Sequence, residues 1–387
     1  MKKKIGIITV SRTTNFGAEL QAFALQYKLN KLGYDAEVID YLYFKNNRHI
    51  VSKKARPELC FKKKEQLKNL FIYRIIGPLI DVAFPIFHKK TNRKFNNFKN
   101  FHKNNTRFSK EFRTADSLYK HSFNYDIFIT GSDQVWNPAT FSSLKPYLLD
   151  FAPPFKKRIS YAASFGVSKV SSEYKNTYSG LFKKLDSISV REEQGKEIIK
   201  EITNREANEV LDPTLLLSKS DWKEIAKGSK INIKEPYILI YDLHPSPEII
   251  ELANKTAAKL NCRVYRICKR AFSNPKNNGI KNIDDAGPTE FVSLFMKATY
   301  VITNSFHGVI FSTNFNIPFN AVLNPKRKNN SRILNFLSYV NLSNRIVWED
   351  NKDHYPIDLK LNFEDVNLRL YKKRKTSVEF LNYNILN

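Results

Sequence analysis

The start of the chain constrains its fold more than any other stretch. KIGIITV, residues 4–10, is an apolar run of strand length. A polar loop, SRTTNFG, follows. From about Ala18 to Lys31 the apolar residues return at helical spacing, with Leu25, Leu29 and Leu32 on one side and Phe23 and Tyr27 beside them. Gly33 suits the position just past such a helix. AEVIDY, residues 36–41, then reads as a second strand. Strand, loop, helix, strand in this order opens a doubly wound parallel sheet.

The pattern recurs along the chain. YDIFIT, RISYAAS, SISV and EVL read as further strands, ending at Gly131-Ser132-Asp133, Phe165-Gly166, Arg191 and Asp212-Pro213. Polar residues and glycine gather between Leu217 and Glu235, and a second α/β half follows. Its strands are PYILIYDL, CRVYRIC, YVIT and IPFNAVL, and its clearest helix is PEIIELANKTAAKL. The tail from Asn362 to Leu386 reads as a last helix. The expected architecture is α/β with two Rossmann-like halves facing a cleft: residues 1–225, with a basic helical insertion at about 45–120, and residues 226–387. A chain of 387 residues is long enough for both.

Charge is uneven. The net charge is +27, and Lys45–Arg113 alone holds 19 Lys and Arg against 4 Asp and Glu. Such a segment suits an anionic partner, or a solvated lysine-rich surface. Within it, LFIYRIIGPLIDVAFPIF (Leu70–Phe87) is mostly apolar, but Arg74, Pro78, Asp81 and Pro85 interrupt it. That argues against a spanning helix. It fits short amphipathic helices lying on a membrane surface, or an insertion covering a substrate. No zinc spacing or nucleic-acid reader motif is present, so nucleic acid is not expected as a partner. Three cysteines, Cys60, Cys262 and Cys268, form no even framework, which fits a cytoplasmic protein. MKKKIGIITV has too short an apolar run for a signal segment.

The residues that could carry chemistry sit at strand ends. Gly131-Ser132-Asp133-Gln134 can cap a helix, hold an anion on backbone N–H groups, or offer Asp133 to a hydroxyl. Asn15 and Gly17 lie in the loop before the first helix, where a ligand can approach the backbone. Arg191 can grip a carboxylate or phosphate, or pair locally with Glu192 and Glu193. In VITNSFHGVIFS, Ser305 to Gly308 reads as a turn with a helix starting at Val309. His307 there can act as acid or base, or pack as a neutral turn residue. No metal-ligand cluster, GxSxG elbow or Walker loop appears.

Taken together the motifs are more specific. TTNFGAELQAFALQYKLNKLGYDAEVIDY, YDIFITGSDQVWNP, RISYAASFG, SVREEQG, VLDPTLLL and VITNSFHGVIFS occur in this order. The set resembles the polysaccharide pyruvyltransferase family of bacterial surface-sugar biosynthesis, over roughly Lys4 to Leu337. The resemblance implies a two-lobed fold similar to the GT-B glycosyltransferases. It implies transfer of pyruvate from phosphoenolpyruvate to two hydroxyls of a sugar as a ketal, with no metal and no cofactor beyond that co-substrate. The implied acceptor is a saccharide carried on undecaprenyl diphosphate during capsule or exopolysaccharide assembly. That would place the enzyme peripherally on the inner face of the cell membrane. By the same likeness His307 is the general acid or a phosphate ligand, and Arg191 holds the donor. From their places beside these residues, Asp133 is expected to be catalytic, Gly131, Ser132, Ser305 and Phe306 to bind the donor, and Asn15, Gly17 and Gln21 to bind the acceptor. The family pattern has an arginine two residues before the histidine, and this chain has Ser305 there. Arg332 is the expected replacement. A glycosyltransferase using a nucleotide sugar is the alternative on the same fold. A non-catalytic binder of anionic glycans is a third class, resting on charge alone.

Overall fold

The structure is a computed structural model. It describes residues 2–42, 46, 48–50, 89–138, 144–268, 279–327, 330–351, 357, 359 and 361–387. The Leu70–Phe87 stretch lies outside the described residues.

The chain forms two compact units. Unit 1 takes the described part of residues 1–87, His102–Leu216 and Arg374–Asn387. Unit 2 takes residues 89–101 and Leu217–Lys373. The sequence suggested one boundary near residue 225 and a C-terminal helix wholly in the second half. Instead the division falls at Leu216/Leu217, and the last helix, Phe363–Leu386, gives its second half to unit 1. Two hydrogen bonds explain this. Arg374 Nε donates to the Leu215 carbonyl at 2.6 Å, and the Leu211 N–H donates to Ser377 Oγ at 3.0 Å.

Unit 1 holds a parallel sheet of β1 (Lys4–Ile8), β2 (Asp35–Tyr41), β3 (Phe108–Phe112), β4 (Ile127–Thr130) and β5 (Lys157–Ser160), in the order β3-β2-β1-β4-β5. A short parallel pair, β6 (Ser189–Val190) and β7 (Asn208–Glu209), continues it through single bridges from Ile159 to Ser187 and from Ala163 to Val190. Unit 2 repeats the scheme with β8 (Tyr237–Tyr241), β9 (Arg263–Ile267), β10 (Lys281–Ile283), β11 (Tyr300–Thr303), β12 (Phe319–Leu323) and β13 (Ile346–Trp348). All its pairs are parallel, in the order β10-β9-β8-β11-β12-β13.

The central strands IFIT, YILIY, YVIT and FNAVL are buried at every residue, as strands covered on both faces must be. Aromatic side chains fill the layers beside them. Trp136 meets Phe182 edge-on at 4.8 Å in unit 1, and Phe291, Phe295 and Phe311 cluster with Tyr241 in unit 2. The expected strands are present. The sheets also contain β3, β10 and β13, which stand at edges. β3 corrects the reading of residues 45–120 as helical: the helix Lys89–Asn105 is there, but FSKEF completes the sheet beside β2.

Candidate functional site

In an open parallel sheet, ligands bind outside the carboxyl ends of the strands where the strand order reverses. Each unit has one such point: between β1 and β4 in unit 1, and between β8 and β11 in unit 2. The sequence-derived candidates fall at or beside these two points, and each unit has its own cluster.

In unit 1 the backbone is strained where three neighbouring strands end. Arg12 after β1, Asp133 after β4 and Ala162 after β5 all have positive φ, at 58°, 75° and 53°. Non-glycine residues pay about 1–3 kcal/mol for this, and it persists only where the surroundings enforce it. Arg12 is held by Asp40, with Nη2 to Oδ2 at 2.7 Å, and its guanidinium lies 4.0 Å from the Phe108 ring centroid. Thr13 donates from N–H and Oγ1 to Glu19 Oε1, and His102 bonds the other Glu19 oxygen. Asp133 is half-buried, and one of its oxygens accepts the Gln134 N–H at 2.8 Å.

Arg191 is the centre of this cluster. Its side chain is 1% exposed, and its Nη1 lies 2.9 Å from Asp212 Oδ2 and 3.4 Å from Ser132 Oγ. Ser132 Oγ also donates to Asp212 at 3.2 Å, while Thr214 donates to the other Asp212 oxygen from N–H and Oγ1. The partner is thus Asp212, with Glu192 further off at 3.6 Å. Glu193 turns away to Lys196. Burial alone would lower the Arg191 pKa, but Asp212, Glu192 and Asp133 outweigh it and hold the pKa above its ordinary value. The network joins the loops after β4, β6 and β7 into one charged, hydrogen-bonded block.

The expected acceptor residues have local partners. Asn15 is exposed and caps the helix Phe16–Lys31, its Oδ1 accepting from the N–H groups of Gly17 at 3.0 Å and Ala18 at 3.4 Å. Gln21 is fully buried and donates to Thr9 Oγ1 at 2.9 Å, and Thr9 donates on to the Ser132 carbonyl at 2.8 Å. Gln21 thereby ties the first helix to the loop that carries Asp133. Gly131 is a packing glycine: a Cβ there would lie 3.0 Å from Thr9 Cβ.

In unit 2 the structure corrects one local expectation. The helix starts at Phe306, not Val309, so His307 and Gly308 stand in its first turn, with Ser305 at the cap position. Ser305 makes no side-chain capping bond to this turn. Gly308 is required here because a Cβ would come within 2.2 Å of Thr303 Oγ1 on β11. The helix can lie this close to its strand only without a side chain at 308. That sets His307 at the mouth of the strand.

The His307 ring meets Phe306 edge-on at 5.6 Å, and the Arg332 guanidinium carbon lies 5.8 Å from the Phe306 ring centroid. Arg332 is in the first turn of the helix Ser331–Tyr339, as expected. Unit 2 therefore brings together His307, Phe306, Ser305 and Arg332. Two partners escaped the sequence reading. Asn304 clamps the loop after β8, accepting from the Leu243 N–H at 2.8 Å and donating to the His244 carbonyl at 2.7 Å. Asp242, at the end of β8, takes a two-pronged grip from buried Arg266 of β9. Asp242 ends a strand as plainly as Asp212 does, and that position was the available signal. Among the described residues no group of three His, Cys, Asp or Glu could hold a metal ion.

Comparison with known proteins agrees with the motifs. The family model for polysaccharide pyruvyl transferase matches residues 15–325, a span that includes every candidate except Arg332. No curated protein sequence matches the chain. Among solved structures, one described as a UDP-N-acetylglucosamine 2-epimerase from Listeria monocytogenes is 12% identical. It covers 98% of this chain and 95% of its own, with a TM-score of 0.53. A UDP-GlcNAc 2-epimerase from Methanocaldococcus jannaschii is 12% identical, covering 98% and 99%, at a TM-score of 0.49. The Arabidopsis thaliana UGT89C1 complexed with quercetin is 11% identical, covering 98% and 95%, at 0.48. At such identity the likeness to the Listeria structure speaks to the fold alone, which is of the two-part GT-B type. With the fold of two like-ordered sheets, the strand-end motifs and a family match across most of its length, the chain belongs to the polysaccharide pyruvyl transferase family.

Proposed function

We propose that this pyruvyltransferase takes pyruvate from phosphoenolpyruvate and fixes it as a ketal across two hydroxyls of a sugar. The acceptor is a lipid-linked saccharide of capsule or exopolysaccharide assembly. The observation that supports the reading is His307 in the first turn of the helix after β11, next to Phe306, whose ring meets both His307 and the Arg332 guanidinium. An anionic enol donor needs a proton source and cationic groups, and this cluster supplies both types.

The chemistry then assigns roles. His307, as imidazolium, gives a proton to the methylene carbon of the donor, leaving cationic character on the carbon that bears the phosphate. One sugar hydroxyl attacks that carbon and loses its proton to a general base. The carbon–oxygen bond to phosphate breaks, and the second hydroxyl closes the ring, its proton leaving with the phosphate. Donor and diol thus become ketal and inorganic phosphate. Arg332, standing in for the arginine absent at Ser305, counters the donor's negative charge. No metal or further cofactor is assigned. The lipid-linked acceptor brings the enzyme to the inner face of the cell membrane as a peripheral protein. Among the described residues no helix is long and apolar enough to cross a membrane.

A thermal-shift comparison tests the donor. Phosphoenolpyruvate should raise the melting temperature, and uridine and guanosine diphosphate sugars should not. The reverse result would replace this reading with a nucleotide-sugar glycosyltransferase.

A further inference from the structure

All strands of unit 1 are parallel, so their amino ends form one edge of the sheet, opposite the candidate residues. That edge carries exposed apolar and aromatic side chains. Phe155 is 80% exposed, two residues before β5. It sits at the tip of a turn, Pro153-Pro154-Phe155-Lys156, closed by the Lys156 N–H on the Pro153 carbonyl at 3.0 Å. A proline inside the turn fixes its shape, so the ring is held outward. Tyr383 and Leu386 are 68% and 67% exposed. Their helix ends on the same edge: Asn382 bonds Tyr34, just before β2, and Asn384 bonds Ser187, just before β6.

The surrounding charge is basic. Lys2, Lys3 and Lys4 lead into β1, Lys156 and Lys157 into β5, and Lys183 and Lys184 lie before β6. The carboxylates among them are engaged. Asp126 takes Lys156 at 3.8 Å and the Lys4 N–H at 2.9 Å, Asp150 pairs with Lys184, Asp35 with Arg107, and Asp186 accepts the Arg158 N–H. Lys156 and Lys184 are balanced by these carboxylates, but exposed Lys2, Lys3, Lys4 and Lys183 on the edge that presents Phe155 match the boundary of an anionic bilayer, where lysine meets headgroups and the ring enters the acyl region. A second copy of a chain at +27 would be repelled at this edge.

We propose that the amino edge of the unit 1 sheet docks the enzyme on an anionic lipid surface, with Phe155 as its inserted side chain and Tyr383 and Leu386 beside it. The proposal rests on the membrane-surface reading above and gives it a surface.

Co-sedimentation of the full chain with phosphatidylcholine vesicles, with and without phosphatidylglycerol, tests it. The wild type should pellet only with phosphatidylglycerol present. Phe155→Asp should weaken this partition about tenfold, and Lys2→Glu with Lys3→Glu by roughly fivefold per lysine. Both variants should keep the wild-type melting temperature and activity on a water-soluble acceptor. If the wild type binds and these variants bind equally well, this surface is wrong while membrane association stands. If the wild type ignores anionic vesicles, both readings fall.

Discussion

The two units share a strand order and differ in what they place at its reversal. In unit 1 the ends of β4, β6 and β7 are locked through a buried arginine whose charge is already balanced by Asp212. In unit 2 the equivalent position starts a helix with an uncapped first turn, and His307 is only half-buried there. One end is held by a buried ion pair, while the other leaves its histidine half-buried. The same topology therefore supplies two kinds of support, and the side chains at strand ends decide which.

Substitutions can break this contrast. His307→Asn should cost the most, lowering kcat by about 10²–10⁴-fold with the fold intact, as steady-state kinetics and a melting curve would show. A loss of fold instead would make His307 a packing residue. Arg191→Ala should act on stability as well as turnover. It leaves Asp212 charged and buried, at a cost of about 3–5 kcal/mol in denaturant unfolding, and an unchanged midpoint would contradict the lock.

The glycines sharpen the comparison. Gly308→Ala should destabilise unit 2 by about 1–3 kcal/mol, because Thr303 or the helix must move. Gly131→Ala should cost less, since its nearest neighbour is at 3.0 Å rather than 2.2 Å. Equal costs in calorimetry would remove that distinction. The smallest effect is expected for Arg332→Ala: about tenfold weaker binding of phosphoenolpyruvate by titration. Unchanged affinity would return the missing cation to another residue.

Much of this was legible from local sequence. Apolar runs of strand length and helical periodicity gave the alternation, and the residues just after each run gave the clusters. What escaped was what depends on distant residues. Arg191 does pair with the adjacent Glu192, but its closer partner is Asp212, 21 positions on, because β6 and β7 pair and bring their ends together. The helix start at Phe306 was placed late because Ser305 makes no capping bond and the first turn has no acidic residue. The edge strands KNI and IVW are only three residues long, and FSKEF carries polar residues that edge positions tolerate, so none signals a strand by composition.

The parallel strands of unit 1 also fix a height. Those of the five-stranded sheet, β1 to β5, run from four to seven residues, which at strand rise is about 13–23 Å from one edge to the other. With the amino edge on a bilayer, Asp133 and Arg191 stand that far above the lipid. A sugar attached directly to the lipid phosphate falls short of them, and one presented further out along an oligosaccharide arrives. If the edge docks as proposed, the sheet would work as a spacer, selecting acceptors by reach before any contact with the sugar itself.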